Sequence, residues 1–292
     1  MASEDLYLPQ QSFAGLGAPH SDLQTAAAII LPVPFERTTE WVSGTREGPR
    51  AIIEASQYLE LYDLELDREL HEVGIHTRAP LRPVISSTRD MVDRVLQATR
   101  PLVCNGKLVA MLGGEHSLSL GAVRAYKEKF SSLSVLQLDA HADLRDEYLG
   151  DRYGQACVMR RVSEVCPIVQ VGTRSLSLEE KAFLDRNHMV PFYAGLGLSQ
   201  EKLQERVLAA LGQDVYITID ADVFDPSIMP AVGTPEPGGM TWQSVLSLLR
   251  AVAQHRNVVG FDVMEFCPRE GPSHCAYLLA KLTYKLIGYA LA

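Results

Sequence analysis

Three ionisable residues spaced two apart, Asp139, His141 and Asp143, follow directly after a short apolar run at residues 133–138. A run of this length is typical of a buried strand, and side chains at i, i+2 and i+4 of an extended chain point the same way. Two carboxylates and an imidazole that converge at the end of a strand are costly to bury unless a cation compensates them. The spacing therefore indicates a metal site.

The ends of three other predicted strands carry residues of the same chemical types. In open parallel sheets, ligands bind beyond the carboxyl ends of the strands, so these side chains are expected to meet at one edge. Each short pattern alone also fits a turn or a helix cap, but their number favours a shared metal site. The strand ends hold His116, Asp220 with Asp222, and Asp262 with Glu265.

The number of carboxylates predicts the number of metal ions. Asp139, Asp143, Asp220 and Asp222 against one divalent cation would leave about two uncompensated negative charges, whereas two cations balance them. A pair of ions also generates hydroxide from water near neutral pH. Oxygen and imidazole ligands without thiolate favour two Mn²⁺ ions, and Ni, Co, Fe or Zn ions are compatible with the same ligands.

Short apolar runs alternate with longer amphipathic segments along most of the chain. This alternation is typical of βαβ units that form a parallel sheet with helices on both faces. We predict a single α/β domain over residues 1–292, with residues 1–25 as an irregular N-terminal arm. The predicted strands are 26–33, 73–76, 107–112, 133–138, 167–171, 189–193, 215–219 and 258–263. Helices with both ends predicted cover 87–103, 156–165, 178–186, 199–211 and 241–255. Three further helices are predicted: one that begins at residue 49, one that ends near residue 130 and a C-terminal one that ends at residue 291.

Composition restricts the classes of partner. The net charge of −9 argues against nucleic acid, whose phosphates require clustered Lys and Arg, and it is compatible with a small cationic substrate. The longest apolar runs fall short of the roughly 18 to 20 residues that a membrane span needs, and residues 1–5 do not resemble a signal peptide. The 5 cysteines form no CxxC pair, which indicates reduced thiols and a cytoplasmic protein.

Six short segments contain the residues that could do chemistry. They are Gly44–Pro49, Gly113–Ser117 (GGEHS), Asp139–Asp143 (DAHAD), Thr218–Pro226, Gly233–Gly239 and Gly260–Glu265. In this order they resemble the ureohydrolases, the family of arginase and agmatinase. The resemblance implies a three-layer α/β/α sandwich with an eight-stranded, mostly parallel sheet, and a binuclear manganese site. It also implies hydrolysis of a guanidino compound to urea and an amine by a homotrimer or homohexamer.

The resemblance further implies a role for each site residue. A hydroxide between the ions would attack the guanidinium carbon, and Asp143 would pass a proton to the departing amine. Glu265 would orient the guanidinium through a paired, charge-assisted hydrogen bond. Glu236 could add a second carboxylate near the guanidinium or only fix its own loop. The implied ligand sets share Asp139 and Asp220 as bridges and comprise His116, Asp139, Asp143 and Asp220 for one ion and Asp139, His141, Asp220 and Asp222 for the other.

One departure from the family pattern concerns proton transfer. Relatives carry a histidine after the segment Asp139–Asp143, which we call the metal loop. It lies in a segment similar to residues 153–161, where this chain has Gln155. A glutamine positions water or substrate by hydrogen bonding but cannot shuttle protons near pH 7. Gln155 is therefore a catalytic candidate with an altered role, or a reason for slow turnover. No spacing argument places His188 or His274 at the site.

A second departure concerns the substrate. Arginase has a short polar residue at the position of Arg145, where it binds the amino-acid head of arginine. The long cationic side chain argues against arginine and favours agmatine, which would give putrescine and urea. Arg145 could instead pair with a substrate carboxylate, or with Asp146 or Glu147 at the surface. Trp41 could line the pocket or pack in the core.

Several alternatives remain open at this point. Aminopropylagmatine, guanidinobutyrate, guanidine and arginine are other candidate substrates. Another metallohydrolase on the same scaffold, such as a deacetylase with one zinc ion, is a second enzyme hypothesis. A weakly active or non-catalytic metal-bound homologue is a third hypothesis, and its support is Gln155.

Overall fold

A parallel sheet runs through the middle of the molecule. The computed structural model describes residues 11–193 and 197–291, and within them the central sheet has 7 strands in the order β4-β1-β5-β9-β8-β6-β7, all neighbours being parallel. The remaining two strands form a separate antiparallel pair. In chain order the strands are β1 (Ala28–Val33), β2 (Tyr62–Asp63), β3 (Arg68–Glu69), β4 (Ile75–Thr77), β5 (Leu108–Gly113), β6 (Leu133–Leu138), β7 (Ile168–Val171), β8 (Asp214–Asp220) and β9 (Asn257–Met264).

Helices cover both faces of this sheet. Within the described residues, no helix is long and apolar enough to cross a membrane. The helices are α1 (Gly48–Ser56), α2 (Thr88–Cys104), α3 (Ser119–Lys129), α4 (Val158–Ser163), α5 (Leu178–Arg186), α6 (Gln200–Ala210), α7 (Trp242–His255) and α8 (His274–Leu291).

Successive residues of a central strand pack into two different cores. In β5, Leu108, Ala110 and Leu112 belong to the core that α1, α7 and α8 cover. Val109 and Met111 of the same strand belong to the core that α2 and α3 cover. Strands buried on both faces have continuous apolar sequences, which is why the parallel sheet was predictable. The predicted three-layer α/β/α fold is confirmed.

The prediction of eight strands in the central sheet is wrong, because this sheet has 7 strands within the described residues. The predicted strand at 189–193 contacts β7 at one position, where Phe192 forms an isolated bridge with Val171. Val190 is 71% exposed, so its side chain faces solvent, and the pairing with β7 does not extend beyond this one bridge. The weak edge strand predicted at 73–76 is present as β4.

The predicted N-terminal arm lies partly outside the described residues. In its described part, a short 3₁₀ helix at Phe13–Gly15 buries Phe13 completely. Two helix starts follow the sequence signals. Pro49 is in the first turn of α1, and Ser87 Oγ accepts a hydrogen bond from the backbone of Asp90 at the start of α2. The Asp90 carboxylate does not complete the capping box, because it accepts instead from Ser86.

The strand order brings the four predicted site segments together. Strands β5, β9, β8 and β6 are consecutive in the sheet and parallel, so their carboxyl ends lie along one edge. Each of these strands carries one group of the predicted ionisable residues at or just beyond its carboxyl end. The sheet order, and not the chain order, makes these ends neighbours, because β9 lies between β5 and β8 in the sheet although it follows both in the chain.

Candidate metal centre and active site

His116 lies among three carboxylates. It follows β5 in a short 3₁₀ helix, His116–Leu118, and its side chain is fully buried. Its Nδ1 atom is 3.1 Å from Asp139 Oδ2, 3.3 Å from Asp143 Oδ2 and 3.3 Å from Asp220 Oδ2. Ligand atoms of His116, Asp139 and Asp220 are close enough to hold one metal ion.

His141 lies in a second group that shares Asp139 with the first. Its Nδ1 atom is 2.8 Å from Asp222 Oδ2 and 3.7 Å from Asp139 Oδ1. Ligand atoms of Asp139, His141 and Asp222 are close enough to hold a second ion. The structure therefore brings all six predicted ligands together, with Asp139 between the two groups.

Local turns, and not an extended chain, make the side chains of the metal loop converge. The backbone N–H of His141 donates to Asp139 Oδ1 at 2.6 Å, which is a side-chain turn of the kind that Asp favours. Asp143 has a φ of 54°, the left-handed conformation that non-glycine residues rarely adopt. Such conformations cluster at functional sites, where the surrounding structure holds them.

A hydrogen-bond chain sets the orientation of the His116 ring. Thr218 Oγ1 donates its single proton to Asp262 Oδ1 at 2.6 Å, so it accepts from His116 Nε2 at 2.8 Å. The other ring nitrogen, Nδ1, is buried without a hydrogen-bond partner and faces the three carboxylates. A neutral imidazole lone pair directed at carboxylate oxygens is stable when a cation lies between them. The donor set therefore fits a divalent metal ion.

The pKa shifts of His116, Asp139 and Asp220 also indicate that positive charge stabilises this site. Burial alone would lower the pKa of His116, but the close carboxylates of Asp139, Asp143 and Asp220 raise it well above its usual value. Burial, together with the charges of Asp143 and Asp222, raises the pKa of Asp139 to about 7. Burial and the neighbouring carboxylates also hold the pKa of Asp220 well above its usual range. Divalent cations would relieve this repulsion.

Glu265 lies beside the carboxylate cluster at the end of β9. Its Oε1 atom accepts from the backbone N–H of His116 at 2.6 Å, and its own N–H donates to Gly114 at 2.9 Å. Its φ is 59°, so it shares the left-handed conformation of Asp143. Burial, followed by the charge of Glu115, raises the pKa of Glu265 well above the usual range. A cation arriving in front of Glu265 would favour its ionised form.

One cavity connects the metal loop, Glu265 and the two departures from the family pattern. Its volume is about 280 Å³. The lining residues are Glu40, His116, His141, Asp143, Arg145, Gln155, Ala156, Ser175, Leu176, Ser177, Glu180, Asp220, Thr234 and Glu265.

Gln155 reaches this cavity from the start of a short 3₁₀ helix, Gln155–Cys157. Its backbone N–H donates to Thr38 Oγ1 at 3.0 Å, and Thr38 Oγ1 donates to the fully buried Glu115 at 2.9 Å. The side-chain oxygen of Gln155 is buried and has no hydrogen-bond partner within the described residues. Gln155 therefore offers an unused acceptor at the cavity wall.

Arg145 and Glu40 place opposite charges on the cavity wall. Arg145 stacks on Tyr148, with its guanidinium carbon 4.5 Å from the ring centroid. A hydrogen bond to Glu40 raises the pKa of the Tyr148 phenol. Arg145 makes no salt bridge in the described part of the chain, and Asp146 pairs instead with Arg152 and Arg161.

Four other residues considered from the sequence do not line this cavity. The carbonyl oxygen of Glu236 accepts from Arg174 at 2.8 Å, which supports the loop-fixing interpretation of Glu236. His188 and His274 line other hollows of the surface. Trp41 is 83% exposed, so it is not part of the core.

The sequence did not identify the residues that support the ligands from behind. Thr218 and Tyr216 both donate to Asp262, and Gln137 donates to Asp139. The sequence does contain a signal for these residues, since each has a polar group inside a run that is otherwise apolar and buried. Such residues are hydrogen-bonded when buried, but the partner of Thr218 and Tyr216 lies on another strand, β9, and could not be read from the sequence.

The sequence matches the Arginase family over residues 26–288. A match of this extent shows the family, and the chain belongs to it. The six motifs and the geometry of the four strand ends agree with this assignment.

Within this family, the chain is similar to enzymes named for two related activities. It is 39% identical to an N(1)-aminopropylagmatine ureohydrolase of Synechocystis sp., over 90% of this chain and 89% of the relative. It is 33% identical to an agmatinase of Pyrococcus horikoshii, over 92% of this chain and 94% of the relative. The solved agmatine ureohydrolase of Thermoplasma volcanium is 29% identical and superposes with a TM-score of 0.89, covering 99% of this chain and 97% of that structure.

Divalent metal is expected to stabilise the folded chain, because the buried carboxylates repel one another without it. A ligand that binds only the folded state at 100 times its Kd adds about 2.7 kcal/mol. Thermal unfolding of the metal-free chain with and without Mn²⁺ measures this effect. Asp220→Asn should lose most of the metal-dependent rise in Tm, whereas Asp185→Asn, which changes an exposed carboxylate on α5, should keep it. An unchanged Tm on Mn²⁺ addition would show that these carboxylates bind no metal.

Proposed function

We propose that this chain is a metal-dependent ureohydrolase that cleaves an amine-terminated guanidino compound to urea and an amine. The proposed substrates are agmatine, which gives putrescine, and its N(1)-aminopropyl derivative. The observation that carries the proposal is the meeting of six candidate metal-ligand side chains at the strand ends, where four of them line the same cavity as Glu265. The names of the related ureohydrolases support the choice of substrates.

The metal centre of this proposal contains two Mn²⁺ ions. Oxygen and imidazole donors without thiolate favour Mn²⁺, and Ni, Co, Fe or Zn ions are compatible with them. When bound, such a pair supplies Lewis acidity and lowers the pKa of water towards neutrality. The proposed ligands are His116, Asp139, Asp143 and Asp220 for one ion and Asp139, His141, Asp220 and Asp222 for the other.

Glu265 is the proposed partner of the substrate guanidinium. Guanidinium is planar and presents parallel N–H groups that a carboxylate binds as a pair. The backbone N–H of His116 holds one oxygen of Glu265, so the carboxylate has a fixed direction at the cavity wall. This contact would hold the guanidinium carbon in one place, which matters because guanidinium is resonance-stabilised and a poor electrophile.

Asp143 is the proposed proton donor to the departing amine. It lines the cavity and lies beside His116. Hydrolysis breaks the bond between the guanidinium carbon and the substituted nitrogen, and water supplies the new oxygen on carbon. A proton transferred from water through Asp143 to that nitrogen turns it into a neutral amine leaving group.

Glu40 is the proposed contact for the amine end of the substrate. Among the carboxylates of the cavity, Glu180 is already used as a helix cap, because it accepts from Ser177 N at 2.7 Å. Glu40 lines the cavity from the loop before Trp41 and is not among the proposed ligands, and its hydrogen-bond partner Tyr148 has a raised pKa and stays neutral. A second candidate substrate is a guanidino acid, which Arg145 favours because it lines the cavity and forms no salt bridge with any residue that the structure describes.

Two further features of the proposal come from the sequence and the family. The cysteines, which form no CxxC pair, support a cytoplasmic location with reduced thiols. The resemblance to ureohydrolases suggests a homotrimer or a homohexamer.

Urea release from a panel of guanidino compounds tests the substrate. We expect turnover of agmatine or N(1)-aminopropylagmatine with Mn²⁺ or Ni²⁺ supplied, and little turnover of arginine or guanidine. The amine-terminated compounds should be preferred because Glu40 offers them a counter-charge. Preferred turnover of guanidinobutyrate would support the guanidino-acid alternative, and no urea from any compound would refute the ureohydrolase proposal.

Replacement of Glu265 tests guanidinium recognition. We expect Glu265→Gln to lower kcat/KM about 10- to 100-fold, because a hydrogen bond to a charged group contributes about 1.5–3 kcal/mol. Steady-state urea production measures the change. Glu236→Gln is the matched control on a neighbouring loop and should retain the parent kcat/KM. Equal losses in both variants would contradict the role of Glu265.

Replacement of Gln155 tests whether proton transfer limits turnover. General acid–base help is worth about 10²–10⁴-fold, so Gln155→His should raise kcat and add a pH dependence near the usual histidine pKa of about 6.5. The pH profiles of kcat for the two proteins measure this. Gln155→Asn is the matched control, since it adds no titratable group. A Gln155→His profile identical to that of the parent would exclude this position from proton transfer.

A further inference from the structure

Two glutamine side chains lie inside the central sheet, behind the metal loop. Gln137 is on β6 and Gln170 is on β7, and the two residues are directly paired in the parallel register of these strands. Gln137 is fully buried and Gln170 is 3% exposed. A buried amide is costly unless it is hydrogen-bonded. The hydrogen-bond partners of each glutamine therefore indicate its role.

The two amides form a hydrogen-bond chain that ends on a metal ligand. Gln137 Nε2 donates to Asp139 Oδ2 at 2.7 Å, and Gln170 Nε2 donates to Gln137 Oε1 at 2.6 Å. Gln170 Nε2 also donates to the carbonyl oxygen of Ala142 at 2.8 Å. Because a carboxylate and a carbonyl oxygen only accept, the direction of every bond in this chain is fixed.

The chain holds the Asp139 carboxylate from one side, and the metal loop holds it from the other. Asp139 Oδ1 accepts from the backbone N–H of His141 at 2.6 Å, while Oδ2 accepts from Gln137. The same two oxygens face the two imidazoles, since Oδ2 is 3.1 Å from His116 Nδ1 and Oδ1 is 3.7 Å from His141 Nδ1. Rotation of this carboxylate would therefore disturb both groups of ligands at once.

We propose that Gln137 and Gln170 are positioning residues that fix the plane of the Asp139 carboxylate so that it serves both metal ions. The inference rests on the binuclear centre of the proposed function. Gln137 acts directly on Asp139. Gln170 acts through Gln137 and, by its bond to Ala142, fixes the loop between His141 and Asp143. Neutral amides do this without adding to the negative charge of the site.

Metal affinity of the full chain tests this role. Loss of a hydrogen bond to a metal ligand typically weakens metal binding by about 10- to 100-fold. We expect Gln137→Leu, which keeps the volume but removes the amide, to weaken the binding of at least one Mn²⁺ ion by this factor. Titration of the metal-free protein with Mn²⁺ in competition with a chelator measures the affinity. Gln204→Leu is the matched control, because Gln204 is a half-buried glutamine that binds Ser247 on α7, and it should bind Mn²⁺ like the parent.

A double-mutant cycle separates positioning from general damage to the fold. Because Gln170 acts mainly through Gln137, Gln170→Leu should weaken binding less than Gln137→Leu. The double variant should lose little more than Gln137→Leu alone, whereas independent effects would add. If Gln137→Leu does not fold, Gln170→Leu alone still tests the chain. A variant with unchanged unfolding and parent Mn²⁺ affinity would overturn the inference, and a parent chain that binds no Mn²⁺ would overturn the proposed function instead.

Discussion

The constraint on which the structure depends is the crowding of negative charge at the centre of its sheet. Asp139, Asp220 and Asp222 are each at most 3% exposed, and Asp143 and Glu265 lie beside them. Buried carboxylates repel one another and favour the protonated form unless positive charge or hydrogen bonds compensate them. The raised pKa of Asp139, about 7, reflects this cost. Positive charge among these carboxylates would remove it.

Backbone groups compensate part of this charge and also shape the site. The N–H groups of Ala140, His141 and His116 donate to Asp222, Asp139 and Glu265 respectively. These donors are free because each strand ends at this edge, where the sheet ladder no longer uses them. The same strand ends therefore supply the ligands, the donors that orient them and the left-handed turns at Asp143 and Glu265.

The sequence predicted the parts of the molecule that depend on local pattern. Apolar runs gave the buried strands, and the ionisable residues at the ends of three of them gave the six predicted ligands. The prediction of a sheet strand at 189–193 was wrong because an apolar run does not show whether the segment pairs along the neighbouring strand. Val190 of this segment is exposed to solvent. The partners of Gln137 and Thr218 were not predictable, because Gln170 and His116 are 33 and 102 residues away and only the strand order makes them neighbours.

The predicted metal ligands and the other residues of the cavity wall lie on different kinds of structural element. The predicted metal ligands lie at the ends of three strands of one sheet, β5, β6 and β8. Buried side chains such as Thr218 and Gln137 hold two of them, His116 and Asp139. Glu40 and Arg145 reach the cavity from loops, and Gln155 reaches it from the start of a short 3₁₀ helix. Thr38, on the loop that contains Glu40, accepts from the backbone of Gln155 and donates to Glu115. Both departures from the family pattern, Arg145 and Gln155, therefore lie outside the sheet. A chain can therefore change the substrate end of its cavity while the metal ligands and their hydrogen bonds stay in place.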